Sequence, residues 1–154
     1  MIFGITQMLW DRGEGAGYVQ HLTANPYPGT SAKTVLLDVA FGDHQVTPLS
    51  AFVEARTIGA TIHQPVTASG RGDLGLAAWG LQPTTYPSKG SAIVVWDSGM
   101  APMPVENLAP REGDDAHEDP RADADVRGQK ASFLFDDTLV DACGGAPCTA
   151  DHRK

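Results

Sequence analysis

Residues 33–60 read KTVLLDVAFGDHQVTPLSAFVEARTIGA, and this stretch decides the fold. Its apolar, partly β-branched run at 35–41 is typical of a strand that is covered on both faces in a parallel sheet. Thr47 then predicts the N-cap of a helix with Pro48 at its first position, and Gly59 predicts the C-cap. A buried strand, a tight loop and a helix follow one another, which is half of a βαβ unit. The apolar face of this helix is predicted to consist of Leu49, Phe52 and Val53.

A second buried strand is predicted at residues 91–96, SAIVVW. The intervening segment 62–90 is rich in Gly, Thr, Ser and Pro, so we expect irregular structure with one short strand near 76–81. A short helix is predicted near the amino terminus, where Ile5, Met8 and Leu9 recur at helical spacing. The sequence therefore predicts an α/β chain in which parallel strands are flanked by helices and joined by long irregular loops.

The carboxyl-terminal third begins with a predicted loop, residues 97–119, which contains prolines and a dense run of acids. Asp119 and Pro120 predict the start of a helix that extends to about Phe135. A short extended piece is predicted at 138–142. The buried residues of this helix are predicted to be Val126, Phe133 and Leu134. We expect one domain over residues 1–154, with a core to about 142 and a Cys-containing tail at 143–154.

The net charge of −8 argues against nucleic acid as a partner, because phosphates attract basic surfaces. It also argues against an anionic membrane surface. No apolar run approaches the ~18 residues of a membrane helix, so no integral membrane segment is expected. The start, MIFGITQMLWDRGEG, lacks the basic region and small-residue cleavage site of a signal peptide.

The chain has two cysteines, in the segment DACGGAPC at residues 141–148. A disulfide between Cys143 and Cys148 would close a small loop and indicate an exported protein. The alternative is two reduced thiols in a tail. We expect no metal site here, because no second pair of ligands accompanies the cysteines.

Two residues stand on loops that follow the predicted strands. Asp43 comes directly after the first strand, and His117 lies in the long loop after the second. Because functional sites form at the carboxyl ends of parallel strands, we expect these two side chains to meet there. A carboxylate followed in the chain by a histidine is the later part of a Ser–Asp–His order.

These segments resemble a known family. VLLDVAFGDHQVTPLSAFVEARTIGA, residues 35–60, resembles the strand, acid turn and following helix of serine α/β-hydrolases. AIVVWDSG, AHEDPR and QKASFLFDD, residues 92–137 with gaps, resemble the last strand, histidine loop and final helix of that family. The closest likeness is to the C-terminal portion of secreted bacterial esterases and lipases, which often end in a similar Cys- and Gly-rich tail.

The resemblance implies roles for both residues. Asp43 would be the triad acid that orients the histidine and stabilises its imidazolium. His117 would be the general base that takes the proton of the nucleophile and returns it to the leaving group. The implied function is hydrolysis of a small-molecule or lipid ester, without a cofactor or a metal. The implied location is secreted or periplasmic, with the leader lying upstream.

The chain departs from the family at the nucleophile, which stays unknown. The nucleophile elbow G-x-S-x-G is absent, and so is the oxyanion-hole loop. Ser69 has no strand before it, and Ser50 lies inside the predicted helix. Ser98 follows a strand and has a glycine next to it, but it lacks the flanking glycine spacing of the elbow. Without a nucleophile, the acid and base alone should not perform acyl transfer at a useful rate.

Three alternatives stay open. The chain can be a catalytically inactive half-domain that persists as a homo-oligomer or against a partner, because the missing strands leave a sheet edge. The acids at 112–125, EGDDAHEDPRADAD, can be a calcium site, although they lack EF-hand spacing and a charge run is usually solvated. His44 adjoins Asp43 and competes with His117 as a base.

Overall fold

The computed structural model describes residues 2–72, 74–101 and 114–152. The helices are α1 (Ile2–Trp10), α2 (Pro48–Ile58), α3 (Asp119–Ala122) and α4 (Ala124–Phe135), with a 3₁₀ helix at Gly15–His21. The strands are β1 (Leu36–Ala40), β2 (Thr61–Ile62) and β3 (Ala92–Trp96). The predicted mixture of helices and parallel strands is confirmed.

The three strands form one parallel sheet in the order β1-β3-β2, so β3 is central. Leu36 lies opposite Ala92 and Ala40 lies opposite Trp96, which brings the carboxyl ends of β1 and β3 to the same edge. Every residue of β3 is buried, as its apolar sequence predicts. Both predicted strands are confirmed, but Leu36, Leu37 and Asp38 of β1 are only partly buried. The short strand β2 was not predicted.

The side chains of β3 alternate between two cores. Ile93 and Val95 belong to a cluster that also contains Phe52 of α2. Val94 and Trp96 belong to a second cluster with Val126 of α4. Because successive strand residues point to opposite faces, α2 and α4 cover opposite sides of the sheet.

Helix α2 has the predicted caps but a different buried face. The Thr47 hydroxyl accepts a hydrogen bond from the Leu49 N–H at 3.4 Å, and Gly59 adopts φ 70°, the left-handed conformation of a glycine C-cap. Leu49 and Val53 are more than half exposed, so their predicted burial is wrong. The residues of the buried stripe are three or four positions apart, which is about one helical turn, and only Phe52 belongs also to the predicted face. The stripe consists of Pro48, Phe52, Ala55 and Ile58.

The predicted carboxyl-terminal helix is two helices. Asp123 has extended backbone (φ −65°, ψ 139°) and separates α3 from α4. Its carboxylate accepts hydrogen bonds from the N–H groups of Asp125 and Val126, so it caps α4. This local capping interaction competes with a continuous helix and explains the break. Val126 is buried as predicted, but Leu134 is 72% exposed and its predicted burial is wrong.

Other segments also differ from prediction. Helix α1 is confirmed, yet none of its residues is buried. The strand expected near 76–81 is a series of turns and is wrong, and only Leu139 of the extended piece at 138–142 makes a bridge, with Ser88. Most of the predicted loop at 97–119 lies outside the described residues. In the tail, Cys148 and Ala150 pack in the same cluster as Trp96.

A buried carboxylate lies in the middle of β1. The side chain of Asp38 is 5% exposed, and its Oδ1 accepts a hydrogen bond from the Trp96 indole N–H at 2.9 Å. Lys130 of α4 lies 3.8 Å from Oδ2, which is beyond hydrogen-bond length. Burial raises the pKa of Asp38 above its ordinary value, and Trp96 and Lys130 oppose this only in part. The ionised carboxylate is therefore a cost to the fold.

Replacement of Asp38 by Asn tests this cost. A raised folded-state pKa means that the folded state binds the proton more tightly, so stability falls as the pH rises from about 3.8 through the raised pKa. Asp38→Asn removes that dependence, so its stability relative to wild type should be higher at pH 7 than at pH 4. Urea unfolding at both pH values measures the difference, and exposed Asp136→Asn is the control. A difference that does not change with pH would contradict this account.

Candidate functional site

Asp43 lies just beyond β1, in a turn that its own carboxylate stabilises. Gly42 precedes it with φ 78°, a conformation that L side chains rarely adopt. Asp43 Oδ1 accepts hydrogen bonds from the N–H groups of Gln45 and Val46, each at 2.8 Å. These bonds fix one carboxylate oxygen against the backbone and leave Oδ2 free to contact another group.

Asp43 Oδ2 contacts the histidine that the sequence predicts. The distance from Oδ2 to His117 Nδ1 is 2.8 Å, and the two side chains are 10% and 18% exposed. The expected contact between the acid turn and the histidine loop is therefore confirmed, although the residues are 74 positions apart. His44, the competing candidate, is exposed, and its backbone rather than its ring joins the local network.

Asp115 joins the two loops, and sequence reasoning missed it. Its Oδ1 accepts hydrogen bonds from the backbone N–H of His44 at 3.0 Å and of His117 at 3.1 Å. Its Oδ2 accepts one from the Gln45 side-chain amide at 2.8 Å. The His44 N–H is the main cause of a lowered Asp115 pKa. Its position within an acidic run gave no sign of this role, because such runs are usually solvated.

The second ring nitrogen of His117 points toward α3. Arg121 Nη2 lies 3.4 Å from His117 Nε2, and Glu118 Oε1 lies 3.6 Å from it. Arg121 makes its shorter contact with Glu118, at 2.7 Å, and its side chain is 60% exposed. Because this Arg121 contact is long and the guanidinium is solvated, Nε2 remains the side of the ring that is available to accept a proton.

Every serine of the chain lies within the described residues, and none of them is hydrogen-bonded to His117. Ser50 lies in α2 and donates to the Thr47 carbonyl, and Ser69 lies in the loop after β2. Ser98 Oγ is buried without a hydrogen-bond partner. A cleft of about 470 Å³ opens beside Ser98, but neither Asp43 nor His117 lines it. The geometry thus assigns no nucleophile.

A second Asp–His pair was also missed. His152 Nδ1 lies 2.9 Å from the buried carboxylate of Asp119, and its Nε2 lies 3.5 Å from Asp114. The hydrogen bond with Asp119 is the main cause of a raised His152 pKa. A ring held between two carboxylates retains its proton more readily, which suits an anchor for the tail better than a base.

The predicted disulfide is confirmed, and a histidine lies beside it. Cys143 and Cys148 are bonded, with their Cα atoms 5.2 Å apart. His63 is 2% exposed, and its Nε2–H donates to the carbonyl of Ala146 at 2.8 Å. In the neutral tautomer that donates from Nε2, Nδ1 accepts a hydrogen bond from the Tyr86 hydroxyl at 2.9 Å. Burial is the main cause that raises the pKa of Tyr86 to about 12, so the hydroxyl keeps its proton.

The acids at 112–125 do not form a cation site in the part of the chain that the structure describes, which omits residues 112 and 113. Asp115 and Asp123 are occupied by backbone N–H groups, and Asp119 is occupied by His152. Within residues 2–72, 74–101 and 114–152, the one group of three potential metal ligands consists of His63, Cys143 and Cys148. Within the same ranges, no helix has the length and apolar content to cross a membrane.

Comparison with known proteins gives no family for this chain. No protein-family model matches it, and neither a curated protein nor a solved structure does. The chemistry of the site is therefore derived from its own geometry.

The bridging carboxylate of Asp115 can be tested by mutation. Asp115→Ala removes the shared acceptor, so we expect the His117 loop to loosen, with a stability loss of about 1 kcal/mol, the typical net value of a hydrogen bond. The imidazole Nδ1 proton held by Asp43 should give a downfield ¹H NMR signal that broadens in this variant. Asp115→Asn keeps an acceptor oxygen and should retain the signal better, and Asp136→Ala is the control. An unchanged signal in Asp115→Ala would refute the bridging role.

Proposed function

We propose that this chain supplies the acid and the general base of a serine-type carboxylic ester hydrolase. The observation that carries the proposal is the 2.8 Å contact between Asp43 and His117. Each residue follows a strand of the same parallel sheet, and the strands β1 and β3 are neighbours. This is the arrangement that the resemblance to α/β-hydrolases implies for their acid and histidine.

The pair has the geometry that a general base requires. Nδ1–H of His117 donates to Asp43, which fixes the tautomer and leaves the Nε2 lone pair directed away from the acid. Nε2 would remove the proton of a serine hydroxyl as that oxygen attacks the ester carbonyl, and the imidazolium would be stabilised by Asp43. The same proton then passes to the leaving alcohol, and water hydrolyses the acyl-enzyme by the reverse sequence.

The nucleophilic serine belongs, in this proposal, to a further part of an α/β-hydrolase domain of which the chain is the C-terminal portion. The edge position of β1 supports this. Val35 and Phe41 direct their backbone bonds to β3, so the alternate residues between them, Leu36, Asp38 and Ala40, direct theirs to the open side. A preceding strand would pair there. The Cys143–Cys148 disulfide supports a secreted or periplasmic location.

A fluorophosphonate probe and a p-nitrophenyl ester test this function together. We expect the wild-type domain that includes the further part with the nucleophile to release p-nitrophenol in a burst and to bind the probe covalently at one serine, which peptide mass spectrometry identifies. His117→Ala should reduce the rate of ester hydrolysis and the rate of probe binding at least ~10²-fold, which is the lower range of a general base's contribution.

The matched control is His44→Ala, which removes a neighbouring exposed imidazole and should leave both rates unchanged. Equal rates in wild type and His117→Ala would contradict the proposal, as would a wild-type domain that neither hydrolyses the ester nor binds the probe.

A second candidate function is a non-enzymatic association module. The specific observation is α1, which exposes its apolar side chains Ile2, Phe3, Ile5, Met8, Leu9 and Trp10 by 55–91%. A contiguous apolar surface of this kind usually indicates a site of contact with another protein. Together with the open edge of β1, it favours a homo-oligomer.

Sedimentation velocity tests the association. We expect the 16.3 kDa chain to sediment as an oligomer, and the double substitution Ile5→Lys, Leu9→Lys to weaken association at least ~10-fold by placing charge on the apolar face. Gln7→Lys adds a charge to α1 without removing an apolar side chain, so it serves as the control. A monomeric wild-type chain would eliminate this second function.

A further inference from the structure

Three potential metal ligands meet at the disulfide. One ligand atom from each of His63, Cys143 and Cys148 lies within 4.8 Å of the others. His63 and Cys148 are almost completely buried, and Cys143 is partly exposed. A tetrahedral zinc site has four ligands, and a buried imidazole with two sulfur atoms supplies three of them. A carboxylate or a water molecule would complete the set.

The backbone fixes His63 in this position. It follows β2 directly, and its N–H donates to the Ile93 carbonyl at 3.0 Å, which continues the pairing with β3. Its ring then reaches Ala146, which lies between the two cysteines. The imidazole is therefore held by the central strand and already contacts the loop that carries both sulfur atoms.

We propose that reduction of the disulfide converts His63, Cys143 and Cys148 into a three-ligand site for a zinc-class divalent cation. Thiolate and imidazole are the ligands that zinc prefers, with bonds of about 2.3 Å and 2.0–2.1 Å. At tetrahedral angles these bonds place the ligand atoms about 3.5–3.8 Å apart. The sulfur atoms must separate from the disulfide bond length, whereas the imidazole needs only a small shift.

The chemistry balances with a dithiol as the reductant. The dithiol transfers two electrons and two protons to the Cys143–Cys148 bond, which opens to two thiols while the dithiol closes to its own disulfide. The cation then displaces one proton from each thiol and binds the two thiolates. The disulfide and the metal site are mutually exclusive states of the same atoms, so the site is populated only where the chain meets a reducing dithiol.

The surroundings of His63 suit a ligand. Opening of the loop releases the Ala146 carbonyl from Nε2, and this nitrogen then binds the cation. The ring proton moves to Nδ1 and is donated to the Tyr86 oxygen, which reverses the present hydrogen bond. Metal-binding histidines usually donate their other N–H in this manner, and loss of such a partner costs about 10–100-fold in affinity. Water can fill the fourth position on the partly exposed side of Cys143.

Cobalt(II) binding to the full chain tests the site. The protein is reduced anaerobically with dithiothreitol, desalted and titrated with cobalt(II), which reports tetrahedral thiolate ligation through its absorption spectrum. We expect the reduced chain to bind one cobalt per chain with thiolate charge-transfer bands that zinc abolishes, and the oxidised chain to show none.

Variants distinguish metal binding that requires His63 from metal binding by the cysteine loop alone. His63→Gln should weaken cobalt binding by the reduced chain at least ~10-fold, and Tyr86→Phe should weaken it by about 10-fold. His44→Gln removes an exposed imidazole elsewhere and should bind as wild type does. Circular dichroism of each sample reports the fold, and a reduced variant that unfolds but regains its native spectrum with cobalt also supports the site.

Two results would overturn the proposal. One is a reduced wild-type chain without thiolate–cobalt bands, whether it remains folded or not. The other is equal cobalt affinity in His63→Gln and His44→Gln, which would show that the cysteine loop binds the metal without His63. Ester hydrolysis plays no part in this readout, so its outcome is independent of the proposed catalytic function.

Discussion

The carboxyl edge of the sheet depends on one ion pair, Arg71 with Asp97. Arg71 Nε lies 2.5 Å from Asp97 Oδ2 and Nη2 lies 2.8 Å from Oδ1, the two-pronged geometry in which Arg–carboxylate contacts are strongest. The Arg71 guanidinium also donates to the Met100 carbonyl and lies 5.2 Å from the centre of the Phe41 ring. The pair thus connects the segments that follow β1, β2 and β3. Removal of Arg71 would leave the Asp97 carboxylate buried without its counter-charge.

Asp97 also binds the carboxyl-terminal segment to the sheet. Its N–H donates to the Cys148 carbonyl at 3.1 Å, and its carbonyl accepts from the Ala150 N–H at 3.0 Å. The cysteine loop therefore continues the sheet edge, and the same loop contacts His63. A two-residue strand such as β2 gains little from its own pairing, so its position depends on the loops that Arg71 and the disulfide hold in place.

Local signals predicted much of the fold. The apolar runs gave β1 and β3, and the Thr-Pro and Gly signals gave both ends of α2, because strands and caps are encoded by neighbouring residues. The contact of Asp43 with His117 was predictable for a topological reason, since both follow parallel strands.

The rest depends on contacts between distant residues that leave no local pattern. The face that α2 buries is decided by the sheet beneath it, so Leu49 and Val53 are more than half exposed while the smaller Ala55 is buried. The break at Asp123 comes from a capping bond that a continuous helical pattern concealed. Asp115, His63 and Arg71 were missed because each acts on a segment far away in the chain.

The histidines show how partners decide the chemistry of one side chain type. His152 lies between two carboxylates, which favour its protonated form. His63 is buried between a phenol and a carbonyl, which are both uncharged partners.

His117 has the Asp43 carboxylate at 2.8 Å from Nδ1, whereas the groups near Nε2 are more distant: the Arg121 guanidinium at 3.4 Å and the Glu118 carboxylate at 3.6 Å. Only the contact at Nδ1 has the length of a short hydrogen bond, so Nε2 is the less tightly held nitrogen of the ring. The proposed hydrolase mechanism requires this arrangement of its base, which accepts a proton from the nucleophile at one nitrogen while the acid holds the other.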